Sequence, residues 1–472
     1  MTTSTNYGLQ AGILSQWETM AQSLSSIAPT AAPAMVLPLV IAASGRSAWI
    51  AVALATLGVV LVAIHVNVFA RDSASPGSLY AFVNSEFGHW AGVLAGWALL
   101  IAYIGTAGAV TGGIVLYVQG LFGVGPAAPV AASALIVLSV ALAAALAYRN
   151  VELSTRFMLW IECASVTTIV LLFLYPSHAH RLAWDATQFS AAAFSGGPVK
   201  AGLVLATFAF VGFESATALG AEARDPLRTI PRAVLGTAIV SGVFFVFCAY
   251  AEVAAVGPRL DLLAGNNASL QVLAQLKAVS WVAPIVSIGA VVSFFACTMA
   301  CLNAAARTAL LMGLRGVLPV SVSRAHARHR TPHVAVVVAA ILATAPAVAL
   351  VARHVSAFDM NGWLGTIATY GFMTAYLLIV MAAPIRLYRR GQLTVAKGAL
   401  SAVTAVLIGA AFVGSIDTSG TGPERWLAPV YVLLIVAGCL LGALMPRLVR
   451  VEGGDGPAGQ LLTQKIDVPP LD

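Results

Sequence analysis

The chain has 472 residues, 60% of them hydrophobic and 9% charged. An ordinary soluble domain is roughly a quarter charged, so a soluble globular protein is excluded. Its formal charge of +7 does not point to nucleic acid: with the N-terminus in the cytosol, 18 of the 25 Lys and Arg fall in cytosolic segments and 7 in external ones, a topology signal that predicts a multi-pass protein of the cytoplasmic (inner) membrane with both termini cytosolic.

A helix crosses the hydrocarbon core with about 20 apolar residues. After a cytosolic segment, 1–19, twelve such runs follow in order: 20–43, 48–70, 90–122, 126–148, 157–175, 199–221, 233–257, 281–313, 334–352, 359–383, 398–416 and 425–446. The first run begins too far in, and too many follow it, for a cleavable signal peptide. In that first span SIAPTAAPA, Ser26 to Ala34, sets Pro29 and Pro33 in mid-helix with Pro38 beyond. Each proline removes a backbone donor and clashes one turn back, so the helix is expected to break. Ser26, Ile27, Ala28, Thr30, Ala31 and Ala32 then offer hydroxyls and free backbone to a ligand. In the third span Gly88, Gly92 and Gly96 form a small-residue ridge for close helix approach, and Tyr103 is a candidate wall of the same pocket. The fifth span carries an intramembrane acid, Glu162.

The sixth span reads FAFVGFESATALG, with Gly212 and Glu214 among Phe208, Phe210, Val211 and Phe213. A carboxylate so deep in a span is costly and usually faces a cavity or pathway. Glu214 is therefore either a proton-coupling, amine-sensing group or a structural acid hydrogen-bonded to unwound backbone. The span ends in Glu222, Arg224, Asp225, Arg228 and Arg232, which read as an interfacial anchor with Glu222 as a candidate inner gate. Pro226 and Pro231 should stop helix six and start helix seven. Glu252, near the far end of span seven, is expected to snorkel or pair locally. In span eight, Phe294 and Phe295 are further candidate pocket walls, Cys297 and Cys301 read as packing residues, and Asn303 and Arg307 share a face, Arg307 fixing loops. All five cysteines lie in spans and imply no disulfide framework. His326, His329 and His333 lie among Arg324, Arg328 and Arg330, a solvated basic loop where positive charge disfavours a metal. The Gly/Pro-rich tail 447–472 should be disordered.

Spans one and six are the first members of two sets of five, followed by two extra helices. Paired broken segments at matching positions of two halves mark a transporter's binding site, because unwound backbone there lines a cavity. No phosphate loop, HExxH or paired CxxC is present, which leaves no sequence support for an enzyme.

The run FAFVGFESATALGAEARDPLRTIPRAV resembles the sixth-helix signature of the amino acid-polyamine-organocation superfamily. LNAAARTALLMGLRGVLPVSVSRAHARHRTPHVAV, Leu302 to Val336, is similar to that family's eighth helix and following loop, and SPGSLYAFVNSEFGHWAGVLAGW, Ser75 to Trp97, to the start of its third helix. The resemblance covers essentially the whole chain. It implies an all-α, leucine-transporter-like fold of inverted five-helix repeats, about 20–175 and 199–383, plus two helices over 398–446. It also implies secondary transport of an amino acid, with a small amine or polyamine as the alternative and a non-transporting sensor or membrane enzyme less favoured. Phe208 would stand where relatives carry an aromatic gate. Coupling would be to protons, through Glu214 or Glu162, in symport or exchange, with no cofactor and no metal. Two departures stand out: Ala-Pro-Thr-Ala-Ala-Pro replaces the family's Gly-rich segment in the first helix, and Ala221 replaces the first acid of the pair that ends in Glu222.

Overall fold

A computed structural model describes residues 7–123, 128–149, 151–175, 185–190, 196–257, 259–263, 269–277, 279–416 and 422–444; the tail 447–472 lies outside them. Among these residues the fold is helical throughout. The helices are α1 (Gln16–Ile27), α2 (Leu37–Ser44), α3 (Ala48–Ala70), α4 (Ser78–Phe87), α5 (His89–Phe122), α6 (Pro129–Arg149), α7 (Val151–Leu174), α8 (Gly196–Phe208), α9 (Pro226–Val256), α10 (Ser269–Leu276), α11 (Ala283–Leu314), α12 (His333–Ala352), α13 (Ala357–Arg389), α14 (Val395–Gly414) and α15 (Leu427–Leu444). Ten stretches among the described residues are long and apolar enough to cross a membrane. The first, 16–70, joins two expected spans, and the interrupted sixth span completes the twelve.

Both expected breaks are present, and the chain chemistry explains them. A capping box starts α1: Ser15 accepts from the Glu18 amide and Glu18 accepts from the Ser15 amide, satisfying two orphan donors. The helix stops where Pro29 has no N–H to continue it, and Ala28 turns to a left-handed φ of 51°. It resumes as a π-helix, Ala32–Val36, in which the Leu37 amide reaches back to the Ala32 carbonyl. That register bypasses the Pro33 carbonyl, and Pro38 cannot serve the carbonyl of Ala34. In the sixth span α8 ends at Phe208, Gly212 adopts φ 91°, and the chain continues as a 3-10 turn, Ser215–Leu219.

The longest helices, α5, α11 and α13, form the centre of the bundle. Their close approach depends on missing side chains: a Cβ at Gly112 of α5 would lie 2.3 Å from the Ala357 carbonyl oxygen. Around them α6, α14 and α15 leave large apolar side chains such as Val406, Leu433 and Leu444 exposed, as lipid-facing helices should.

Two local expectations are corrected. Gly92 and Gly96 face Asn84, Tyr80 and Met312 at close range, but Gly88 is not part of that ridge; it makes the sharp α4–α5 junction with φ 82°. Helix seven begins at Pro226, and Pro231 lies inside α9 with its carbonyl accepting from Asn67. Pro226 takes the first-turn position that tolerates proline, and Pro231 follows so soon that the helix passes through it.

Candidate substrate site

The two breaks pack against each other at mid-bundle. The Ser215 hydroxyl donates to the Gln22 carbonyl at 3.2 Å, the Ala216 amide to Ser23 at 2.8 Å, and the Gln22 amide group to the Ala300 carbonyl of α11 at 2.7 Å. Gly212 meets Ser26 so closely that a Cβ would come to 3.0 Å from the serine Cβ. Beside this seam lies a cavity of about 40 Å³, room for roughly one water. Anything larger than a water therefore fits only when the breaks part. Ser26, Ile27, Ala31, Ala32, Met35 and Val36 form one wall, Phe208, Ala209 and Val211 a second, Thr106, Ala109 and Val110 of α5 a third, and Phe294, Cys297, Asn361 and Gly365 close it. Gly365 makes room for the Phe208 ring, which would lie 2.3 Å from any Cβ there.

Of the sequence candidates, the structure brings Ser26, Ile27, Ala31, Ala32, Phe208, Val211 and Phe294 to the cavity. Ala28, Thr30, Tyr103, Phe210, Gly212, Phe213 and Glu214 do not line it. Phe210 packs on Phe245 and Phe213 on Tyr376, and the Thr30 hydroxyl is buried without a partner. Glu214 is fully buried and turned away: Tyr103 donates to its Oε1 at 2.7 Å and Tyr376 to its Oε2, while the Tyr376 oxygen also accepts the Gly212 amide at 3.1 Å. Glu162, equally buried, accepts from the Ser293 hydroxyl at 2.9 and 3.1 Å.

Thr106, Cys297, Asn361 and Tyr376 were missed as site residues. Thr106 and Asn361 are polar positions in apolar helices, a signal the sequence did offer. Cys297 was read as packing, yet its thiol donates to the Ser26 carbonyl at 3.2 Å. Tyr376 meets Glu214 from 162 residues away, which no local motif reveals.

Glu222 sits where the bundle closes at the end holding the start of α1. It forms a two-pronged ion pair with Arg307, both side chains fully buried, and Arg307 also donates to Asn303. The Glu222 carbonyl accepts the amides of Ile13 and Leu14, and the Arg224 amide donates to Leu14. The segment before α1 is thus strapped across the end of span six. Arg228 remains exposed, as an interfacial anchor should.

The family can now be tested against known proteins. A model of the amino acid permease family matches residues 19–441. The chain belongs to the amino acid permease family. It is 25% identical over 310 residues to the branched-chain amino acid permease BcaP of Bacillus subtilis (62% of this chain, 65% of the relative). It is likewise 25% identical over 305 residues to the low-affinity putrescine importer PlaP of Escherichia coli, with the same coverage of 62% and 65%. The match thus spans just under two thirds of these curated relatives. A substrate-bound outward-open Na+-coupled sialic acid symporter aligns with TM-score 0.57 at 14% identity, over 88% of this chain and 92% of that one; the likeness is one of fold, a multi-pass, leucine-transporter-like membrane protein.

Proposed function

We propose that the chain is an amino acid transporter of the cytoplasmic membrane, working by alternating access on a neutral amino acid with an aliphatic side chain. The carrying observation is the cavity wall: Ile27, Met35, Val36, Val110, Val211 and the rings of Phe208 and Phe294 offer apolar surface, and no charged side chain lines it. Burying an aliphatic side chain is worth about 1.5–3 kcal/mol. The substrate's two charges would meet the hydroxyls of Ser26 and Thr106, the Asn361 amide and the backbone of the breaks. An amine substrate needs a carboxylate in the cavity, and Glu214 has both oxygens committed to tyrosines.

The end holding α1's first residue faces the cytosol in this reading, on the strength of the Lys and Arg bias. Glu222 with Arg307 is the cytosolic gate, and the five-helix repeats keep the boundaries read from sequence. Coupling runs through protons, with Glu214 and Glu162, acids held by hydroxyls at the midplane, as the candidate carriers.

Uptake of labelled leucine into proteoliposomes tests this. Valine and isoleucine should compete, and the amine made by decarboxylating leucine, like putrescine, should not. An amine that competes as well as its parent amino acid overturns the substrate class.

A further inference from the structure

Glu252 breaks the expectation made for it. It lies one turn before the end of α9, is fully buried, and neither of its carboxyl oxygens has a hydrogen-bond partner among the described residues. It neither snorkels nor pairs. An ionised carboxylate in such a place lacks the partners that would offset its burial.

Its surroundings say when a proton can leave. Helix α9 packs there against the π-helix and α10, which are latched together. The Ser269 hydroxyl that starts α10 lies 3.0 Å from the Pro33 carbonyl and 2.8 Å from that of Ala34, and the Tyr117 hydroxyl lies 3.2 Å from the latter. Pro38 has no N–H to serve the Ala34 carbonyl in the α-helical register, and the Leu37 amide goes to Ala32 instead of Pro33. The titratable groups near it are Cys248, one turn earlier on α9, and Tyr117 on α5; Lys277, just past α10, is buried and donates to the Phe173 and Tyr175 carbonyls. The π-helix, α2 and α10 contribute none. On the other neighbours, His65 of α3 is bonded to Leu61 and Ser401, Glu162 of α7 to Ser293, Glu18 of α1 to Arg156, and Asp261 of the 3-10 turn Leu260–Leu263 is exposed. Among the described residues no ion pair compensates Glu252.

We propose that Glu252 is a proton-binding site of the outer gate: it carries one proton while α10 is latched on the π-helix, and exchanges it with external water when Ser269 lets go. The proposal rests on the transport reading for its direction. External acid then favours closure of the outer end over a bound substrate; the proton comes from external water and returns to it, so it sets this gate without crossing the membrane.

Infrared difference spectroscopy on the purified full chain in lipid decides it. Wild-type protein at neutral pH should show a carboxylic acid carbonyl band that is lost in Glu252→Gln, and identical spectra overturn the site. Should that variant not fold, Ser269→Ala carries the test: transfer to D2O should shift the same band several-fold faster than in wild type, and an unchanged rate overturns the latch. In proteoliposomes held without a pH gradient, a change of pH should alter uptake in wild type and leave it unchanged in Glu252→Gln; an equal response in both overturns the gate. A wild-type protein that accumulates no amino acid overturns the transport reading, and the infrared band still decides Glu252.

Discussion

At the end of the bundle where α1 begins, closure is ionic. Glu222 and Arg307 are buried against each other, Glu86 binds both Arg386 and Arg389 at 2.8 Å, Asp72 takes Arg390, and the Ile13–Leu14 strap crosses the end of span six. At the opposite end, among the described residues, no ion pair holds α10 to the π-helix: one serine and one tyrosine hydroxyl meet two carbonyls, Lys277 just past α10 donates to the Phe173 and Tyr175 carbonyls, and a carboxyl is left unpaired behind them. Removing one partner of a buried ion pair costs about 3–5 kcal/mol, whereas a neutral hydrogen bond nets about 0.5–1.5 kcal/mol. Loss of a single side chain is therefore felt more at the ionic end than at the hydroxyl-latched one.

The largest effect expected from this contrast is at Glu222. Replacing it with Leu strands the Arg307 guanidinium, a loss of about 3–5 kcal/mol that should appear as a marked fall in thermal midpoint. Glu222→Leu with Arg307→Met removes both charges and should recover most of the loss, while leaving the gate leaky. A double variant as unstable as the single one would show that the pair does not act as a unit.

A smaller effect is expected at the other end. Ser269→Ala removes the latch hydroxyl, about 0.5–1.5 kcal/mol, or roughly a two- to tenfold shift towards outward opening. Cys297 reports it, being the one cysteine lining the cavity: a polar thiol reagent added from outside should label it faster by that factor. The Glu222 variants should leave outside labelling alone and raise labelling from the cytosolic side. If Ser269→Ala leaves the rate unchanged, α10 is not the outer closure.

Sequence alone located both breaks because their causes are local: Pro29, Pro33 and Pro38 in one span and Gly212 in the other act on backbone within a turn of themselves. The same spacing could not say which way Glu214 points, since its partners Tyr103 and Tyr376 come from other helices. Glu222 was singled out from its place at the end of span six, but its partner lies 85 residues on. Glu252 failed for the converse reason. Proximity to a helix end suggests escape to water, and only packing by α10 and the π-helix reveals that the way is shut.

The smallest predicted effect concerns pH and again separates the two ends. Asp185, in the loop before α8, opens the 3-10 turn Ala186–Phe189. Partial burial pushes its carboxyl up, but donors from Thr187 and Gln188, with the Arg46 charge, outweigh that and hold it below the ordinary aspartate value. Its amide donates to the Tyr250 hydroxyl and the Gln188 side chain to the Tyr250 carbonyl, so the turn is pinned to α9 half a turn before Glu252. A lowered folded value means that the ionised group stabilises the fold above the unfolded value, about 3.9, and that this stabilisation is lost as pH falls through the folded value below it. The thermal midpoint of wild type should therefore exceed that of Asp185→Asn by a small constant amount above about pH 5, and the gap should close below about pH 4. A gap that stays constant across the titration would mean that Asp185 contributes no charge-dependent bracing, and the asymmetry between the ends would then rest on the Ser269 latch alone.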